Sequence, residues 1–366
     1  MAKPLFVITP GDMDWHLDRA RTTGDNVWFH GPPGIGKSSV IRAFAEAEAA
    51  KMGMGFYFAS AEKMTTDWQN TFGYLEGRTA QWDALDVKGA PWINDQEKVT
   101  EFMANSMLPR AETHGIVGVL NLDDYAQAPT SVSNALTELV ETGRIGTSYK
   151  LPAGWQIVAT GNRKSDSSAV NKVGAQVYNR FSHFEVESDA DSLSQYLAAH
   201  GSDGRLGAFL RARPELVHSQ EKGDIAFSSG RTLEKVDRDI REIDDPARLE
   251  ACIASHVSAG IAAEIMGYLS YFTQLTSFSK IVADPENAKV PDAGDKLVKS
   301  AQFAIVGMCA SKRLNEDNID AVATYIMRLP EDMVTVFMLD VLATQPDLQE
   351  TMAFSTLRAK MGSNAV

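Results

Sequence analysis

Between Gly31 and Ser38 the chain reads G-P-P-G-I-G-K-S, which fits the pattern G-x-x-x-x-G-K-[ST]. Residues of these types at this spacing bind phosphate. Gly31, Gly34 and Gly36 let the backbone turn its N–H groups inward around phosphate oxygens, where side chains would collide. Lys37 brings a point charge to the β- and γ-phosphates, and Ser38 brings a hydroxyl to Mg²⁺. Pro32, Pro33, Ile35 and Ser39 complete the loop as candidate contact positions. The implied ligand is a nucleoside triphosphate with Mg²⁺.

Five further positions carry candidate chemistry. Gly115 to Leu122 is an apolar run ending in Asp123-Asp124, the acidic pair expected on the Mg²⁺ side of such a site. Asp123 would hold the ion, directly or through water, and Asp124 would polarise the attacking water. The plain alternative is a polar strand end that caps the next turn. Asn162 follows the apolar run Trp155 to Thr160, where an amide can bond the γ-phosphate or orient water, although Asn is common in turns. Arg180, in Y-N-R-F, reads either as a surface ion-pair residue or as an arginine that neutralises transition-state charge. Arg231, in S-S-G-R-T, opens a helix from which it can reach back to phosphate.

The elements that must position these residues are legible as apolar runs. Val27-Trp28-Phe29 is short enough for a buried strand, and Val40, Ile41, Phe44 and Ala45 follow at helical spacing. The loop therefore joins a strand to a helix N-terminus, whose dipole adds partial positive charge. Leu5 to Ile8 predicts a strand, with Thr9 or Asp12 capping a helix through Arg21. Gly53 should end the helix after the loop, and Phe56 to Ala59 should form the second strand. From Thr65 to Asn94 the pattern loosens, with Trp68, Phe72, Tyr74, Trp82 and Trp92 scattered among Gly and Asp. This predicts a loop, either packed on the core or presented to a partner. Pro129 should open a helix with Val132, Ala135, Leu136, Leu139 and Val140 on its apolar face, closed by Gly143. A fifth strand runs from Phe181 to Val186. After Ser188 the pattern is helical to the end, with polar breaks at Asp284-Pro285-Glu286 and Pro291-Asp292.

Composition sets the outer limits. The 366 residues are 44% hydrophobic, ample for a core and long for one domain. A net charge of −13 argues against a broad electrostatic grip on nucleic acid, without excluding a local basic groove. Two cysteines, Cys252 and Cys309, suit a reducing cytosol. The apolar stretch at the N-terminus is too short for a signal peptide, and Glu264 interrupts the longest candidate span. The expectation is a soluble cytoplasmic protein.

Taken in order, G-P-P-G-I-G-K-S, L-N-L-D-D-Y-A-Q-A-P, A-T-G-N-R, Y-N-R-F and S-S-G-R-T resemble the motif series of the AAA+ ATPases. The series is most similar to the MoxR and dynein-related branch, in its bacterial or phage members, and the resemblance covers residues 26 to about 240. It implies Lys37 and Ser38 as Walker A, Asp123 and Asp124 as Walker B, Asn162 as sensor 1, Arg180 as arginine finger and Arg231 as sensor 2. The pattern departs in two places. Asp124 is one methylene shorter than the usual Glu, and Gly230 stands where a Pro is usual.

The expected fold is α/β, a P-loop AAA+ parallel αβα sandwich over residues 1–190. A helical lid over 191–280 and a C-terminal helical extension over 281–366 should follow. The resemblance further implies a six-membered homo-oligomeric ring, with nucleotide between subunits, that remodels a protein client. A von Willebrand factor A-type partner, common beside MoxR-type proteins, is a candidate client. Three other readings stand beside it. A nucleic-acid translocase would show DNA-stimulated hydrolysis. A small-molecule kinase has no need of Arg231 or the helical tail. A nucleotide-gated scaffold with very slow hydrolysis would follow from the short Asp124.

Overall fold

The structure is a computed structural model that describes residues 5–58, 67–163, 175–220, 225–291, 298–311 and 314–361. The chain divides into two compact units, Met1–Glu187 and Ser188–Val366.

The first unit is built on a seven-stranded sheet. Its strands are β1 (Phe6–Ile8), β2 (Val27–His30), β3 (Gly55–Phe58), β4 (Thr71–Arg78), β7 (Val117–Asp123), β10 (Trp155–Gly161) and β11 (Ser182–Val186). Two antiparallel hairpins stand outside it, β5 (Ala90–Asn94) with β6 (Val99–Met103), and β8 (Arg144–Ile145) with β9 (Tyr149–Lys150). The sheet order is β1-β11-β2-β10-β7-β4-β3, and every pairing is parallel. A parallel sheet needs cover on both faces, because its crossovers lay helices on each. The sequence supplies that cover by alternation. Trp28, Leu120, Leu122, Ile157 and Ala159 face one apolar cluster with Val132, Leu136 and Leu139 of helix Thr130–Thr142. Val27, Phe29, Val119 and Val158 face the other, with Met13 and Leu17 of helix Met13–Thr23 and Ile41 and Phe44 of helix Lys37–Lys51. Full burial of a side chain such as Phe29 contributes about 1.5–3 kcal/mol. The result is the three-layered parallel α/β sandwich expected for the AAA+ core.

The expected loop over 65–94 is corrected by the structure. β4 lies inside the sheet between β3 and β7, so the buried second strand expected over Phe56–Ala59 is instead an edge strand, Gly55–Phe58, with Ala59 outside the described residues. Phe72, Tyr74 and Glu76 alternate with Gly73, Leu75 and Gly77 along β4. The glycines hide this strand in the sequence, and packing explains them. A Cβ on Gly73 would lie 2.0 Å from the His114 carbonyl oxygen and 2.7 Å from the Trp155 ring. One on Gly77 would meet the Trp82 ring at 2.5 Å. The aromatic residues part company here: Phe72, Tyr74 and Trp82 are buried, whereas Trp92 on β5 is exposed.

The second unit is helical among its described residues. One apolar cluster joins helices Ala190–Ala199, Arg205–Ala212, Gly230–Glu242, Pro246–His256 and Ala259–Phe272. A second joins Val298–Cys309, Ile319–Ile326, Glu331–Thr344 and Met352–Met361. The expected helix from Lys296 begins at Val298, its first two residues lying outside the described set. Arg211 grips Asp340 with two bonds of 2.7 and 2.6 Å, and both side chains are less than a tenth exposed. No helix among the described residues is long and apolar enough to cross a membrane.

Candidate nucleotide site

The phosphate-loop residues form the turn between the end of β2 and helix Lys37–Lys51. Two glycines take conformations that L side chains rarely adopt, Gly34 at φ 79° and Gly36 at φ 95°. Gly31 answers to a different constraint, since a Cβ there would lie 2.4 Å from the Val186 carbonyl oxygen of β11. Gly31 N–H donates to the Gly161 carbonyl at 3.1 Å, so the loop's first residue is tied to the end of β10. The loop closes over its own lysine. Lys37 Nζ donates to the carbonyls of Gly31 and Pro32, each at 2.9 Å. Pro33 and Ser38 are half-buried, Pro32 and Ile35 are buried, and Ser39 is exposed on the helix.

The acidic pair arrives from β7. Ser38 Oγ donates to Asp123 Oδ1 at 3.0 Å, and Thr160 Oγ1 of β10 donates to the same oxygen. Thr79 Oγ1, just past β4, donates to the Asp123 backbone carbonyl at 2.9 Å. Asp123 is thus held by the loop helix, β10 and the end of β4 together. Asp124 has left-handed backbone angles, φ 53° and ψ 32°, and leads into the 3-10 turn Tyr125–Gln127. Such angles cost a residue other than Gly roughly 1–2 kcal/mol, which the surrounding contacts must offset. Asn162 directly follows Gly161 and is half-buried, one residue beyond the carbonyl that anchors the loop. Lys37, Ser38 and Asp123 are therefore brought together, with Asp124 and Asn162 each next in the chain to a residue bonded into the site.

Arg180 sits elsewhere in the unit. Its backbone carbonyl accepts a bond from Asn26 Nδ2 at 3.4 Å, and Ser182 N–H donates to the Asn26 carbonyl at 2.8 Å. These bonds put Arg180 at the N-terminal end of β2, whereas the phosphate loop leaves its C-terminal end. A four-residue strand separates the two ends by about 13 Å at roughly 3.3 Å per residue. The guanidinium is engaged within the subunit: Nη2 lies 2.6 Å from Glu141 Oε2, and Nη1 donates to the Gln176 carbonyl. Arg231 belongs to the second unit, in the first turn of helix Gly230–Glu242, and its side chain is exposed. That helix starts without a proline but is capped, Ser229 N–H donating to Thr232 Oγ1 at 2.9 Å.

Several neighbours escaped the sequence reading. Tyr74, wholly buried on β4, accepts from Asn121 Nδ2 at 3.1 Å and lies 3.2 Å from Glu76 Oε2 and 3.4 Å from the Ser38 carbonyl. Burial and the Glu76 carboxylate push its phenol well above the usual range, so it stays protonated as a donor. Thr160 is legible in the sequence only as the last residue of an apolar run, and Tyr74 and Thr79 fall within the stretch expected as a loop. At the end of β2, His30 is pushed down to about 3 by burial first, with His183 and Lys37 adding to it.

Ser38 and Asp123 offer hard oxygen donors 3.0 Å apart, which fits Mg²⁺. Among the described residues no cluster of three or more His, Cys, Asp or Glu forms a self-sufficient metal site.

No protein-family model matches the chain, and no curated protein matches it. Solved structures similar to it include NtrX from Brucella abortus in complex with ATP, at 15% identity and TM-score 0.37 over 89% of this chain and 66% of that one. The ADP complex of NtrX aligns at 15% identity and TM-score 0.34, over 96% and 66% of the two chains. A point mutant of Thermotoga maritima RuvB aligns at 15% and 0.36, over 71% and 69%. The chain thus spans about two thirds of the NtrX chain.

Proposed function

We propose that this protein is an ATP-hydrolysing AAA+ ATPase, and the observation that carries the reading is the meeting of Lys37, Ser38 and Asp123. The strand–loop–helix around Lys37 supports triphosphate binding, and the Ser38–Asp123 bond supports a place for Mg²⁺. When bound, Mg²⁺ neutralises charge between the β- and γ-phosphates. Lys37, now bonded to two loop carbonyls, would exchange them for phosphate oxygens. Asp124 would orient and deprotonate the attacking water, Asn162 would position it, and Arg231 is read as the sensor 2 residue. Arg180 lies too far from its own loop to serve it, which favours action on the nucleotide of a neighbouring subunit.

This division of labour, together with the motif series, supports reading the assembly as a homo-hexameric MoxR-type ring. The client is a protein, for which a von Willebrand factor A-type domain is the candidate. The hairpin β5–β6 supports a protein client, since Trp92, Ile93, Val99, Phe102 and Met103 are all exposed on it. Two-stranded hairpins are marginal by themselves in water, so one so apolar gains from a partner surface. We further read residues 191–280 as a lid, residues 281–366 as an extension, and the setting as bacterial cytoplasm. The short Asp124, in a left-handed conformation, favours one second reading, a nucleotide-gated scaffold that hydrolyses very slowly.

Titration of Mg·ATP into the wild-type chain and into Lys37→Ala tests the nucleotide assignment. Loss of at least tenfold in affinity is expected of the variant. Equal affinity for both would remove the loop as the main site.

A further inference from the structure

A chain of two histidines connects the phosphate-loop strand to the turn that carries Arg180. His30 Nε2 lies 2.9 Å from His183 Nδ1, and His183 Nε2 lies 2.7 Å from the Tyr178 carbonyl oxygen. A carbonyl can only accept, so His183 carries its proton on Nε2 and offers Nδ1 as the acceptor. His30 then donates from Nε2. The direction of the chain is fixed: His30 to His183 to Tyr178. Both rings are held neutral, because burial lowers the pKa of each.

The ends of this chain give it meaning. His30 immediately precedes Gly31, and Tyr178 stands two residues before Arg180. Trp28 bridges the same two ends, its ring 4.7 Å from that of His30 and stacked at 5.2 Å and 8° on that of Tyr178. Space-filling does not account for two imidazoles here, since an apolar pair would fill the cluster without removing polar rings from water. The turn is also tied through Asn26 at its base and Glu141 on the Arg180 side chain. The histidine chain is a hydrogen-bonded tie that leads to the start of the phosphate loop.

We propose that His30 and His183 are positioning residues for Arg180, coupling the turn Tyr178–Phe181 to the start of the phosphate loop so that the loop of one subunit governs the arginine it presents to the next. The proposal rests on Arg180 acting in trans. A shift of the backbone at Gly31 on nucleotide binding moves His30, and through His183 the Tyr178 carbonyl.

Mixed assemblies of full-length subunits test it. A Lys37→Ala subunit has a dead pocket and an intact arginine, while an Arg180→Ala subunit has the reverse, so their mixture regains hydrolysis at junctions where the intact halves meet. Adding His183→Phe to the Lys37→Ala subunit should cut the regained activity about tenfold. Adding His183→Phe to the Arg180→Ala subunit should leave the regained activity within twofold, with ATP affinity unchanged. His30→Phe, at the other end of the chain, should reproduce this asymmetry and provides a second variant should His183→Phe fold poorly. An equal loss on both sides would assign the histidines a structural role and overturn the proposal, as would no loss on the arginine side. If the parent mixture regains nothing, the trans reading itself fails and the proposal falls with it.

Discussion

Ser38 Oγ donates to Asp123 Oδ1 at 3.0 Å across 85 residues of sequence. The bond joins the helix that opens at the phosphate loop to the strand that delivers the acidic pair. Each side of the site holds the other in place, because Asp123 also receives the hydroxyl of Thr160 from the strand between β7 and β2. A side chain fixed from two strands and a helix is preorganised, and preorganisation is what electrostatic catalysis of phosphoryl transfer requires.

Replacing Thr160 with Val keeps the shape of the side chain but removes the donor to Asp123. The carboxylate loses one of its two hydroxyl partners and gains freedom to rotate. We expect the Mg²⁺ concentration for half-maximal hydrolysis to rise several-fold, with Tm changed little. An unaltered Mg²⁺ dependence would mean that Ser38 suffices to orient Asp123.

Arg180 is paired with Glu141 of its own subunit, at the end of helix Thr130–Thr142. An arginine supplied to a neighbour is worth about 10³–10⁵ in rate. Arg180→Ala should therefore bind ATP normally and lose hydrolysis by at least about a thousandfold. Retention of the wild-type rate in single-turnover measurements would return Arg180 to the role of a structural ion-pair residue.

How much of this was open to sequence reading depended on the kind of signal each residue leaves. β2, β7 and β10 are buried on both faces, so they appear as largely apolar runs. The phosphate loop is dictated by one local conformation and shows as a motif. β4 left the opposite impression. Gly73 and Gly77 are there because Trp155 and Trp82 fill the space of their side chains, yet Gly, Glu and Arg in an eight-residue run suggest a loop. Thr160 at Asp123, Glu141 at Arg180 and His183 at His30 are contacts of ordinary residue types brought together by topology. One sequence holds no signal for such pairings.

The Gly73 packing gives a direct stability prediction. Gly73→Ala would drive a methyl group to within 2.0 Å of the His114 carbonyl and against the Trp155 ring. Neither backbone nor a buried indole can move aside freely. Overpacking of this kind costs about 1–3 kcal/mol, and contact with backbone favours the upper end. Urea unfolding should show a lowered midpoint, and an unchanged midpoint would mean that β4 relaxes at no cost.

Stability should also fall in acid, with His30 as one source. An unfolded histidine takes up a proton near pH 6.5, but His30 in the folded protein does so only near 3. Between those values the unfolded state binds more protons, so this group's contribution is present above pH 6.5 and is lost as pH falls toward 3. Unfolding of wild type and His30→Phe at pH 7 and pH 5 should show a smaller loss for the variant. Identical losses would indicate that other groups set the acid sensitivity.

Hydrolysis with Asp124 as the group that activates water is the claim on which the rest depends. Steady-state phosphate release at saturating Mg·ATP, compared between wild type and Asp124→Asn, tests it most directly. The amide cannot take a proton, and general-base assistance is worth about 10²–10⁴ in rate. Release by the wild-type assembly is expected, with a fall of at least about a hundredfold in the variant and nucleotide affinity preserved. Equal rates from the two proteins, or no release from the assembled wild type, would contradict it.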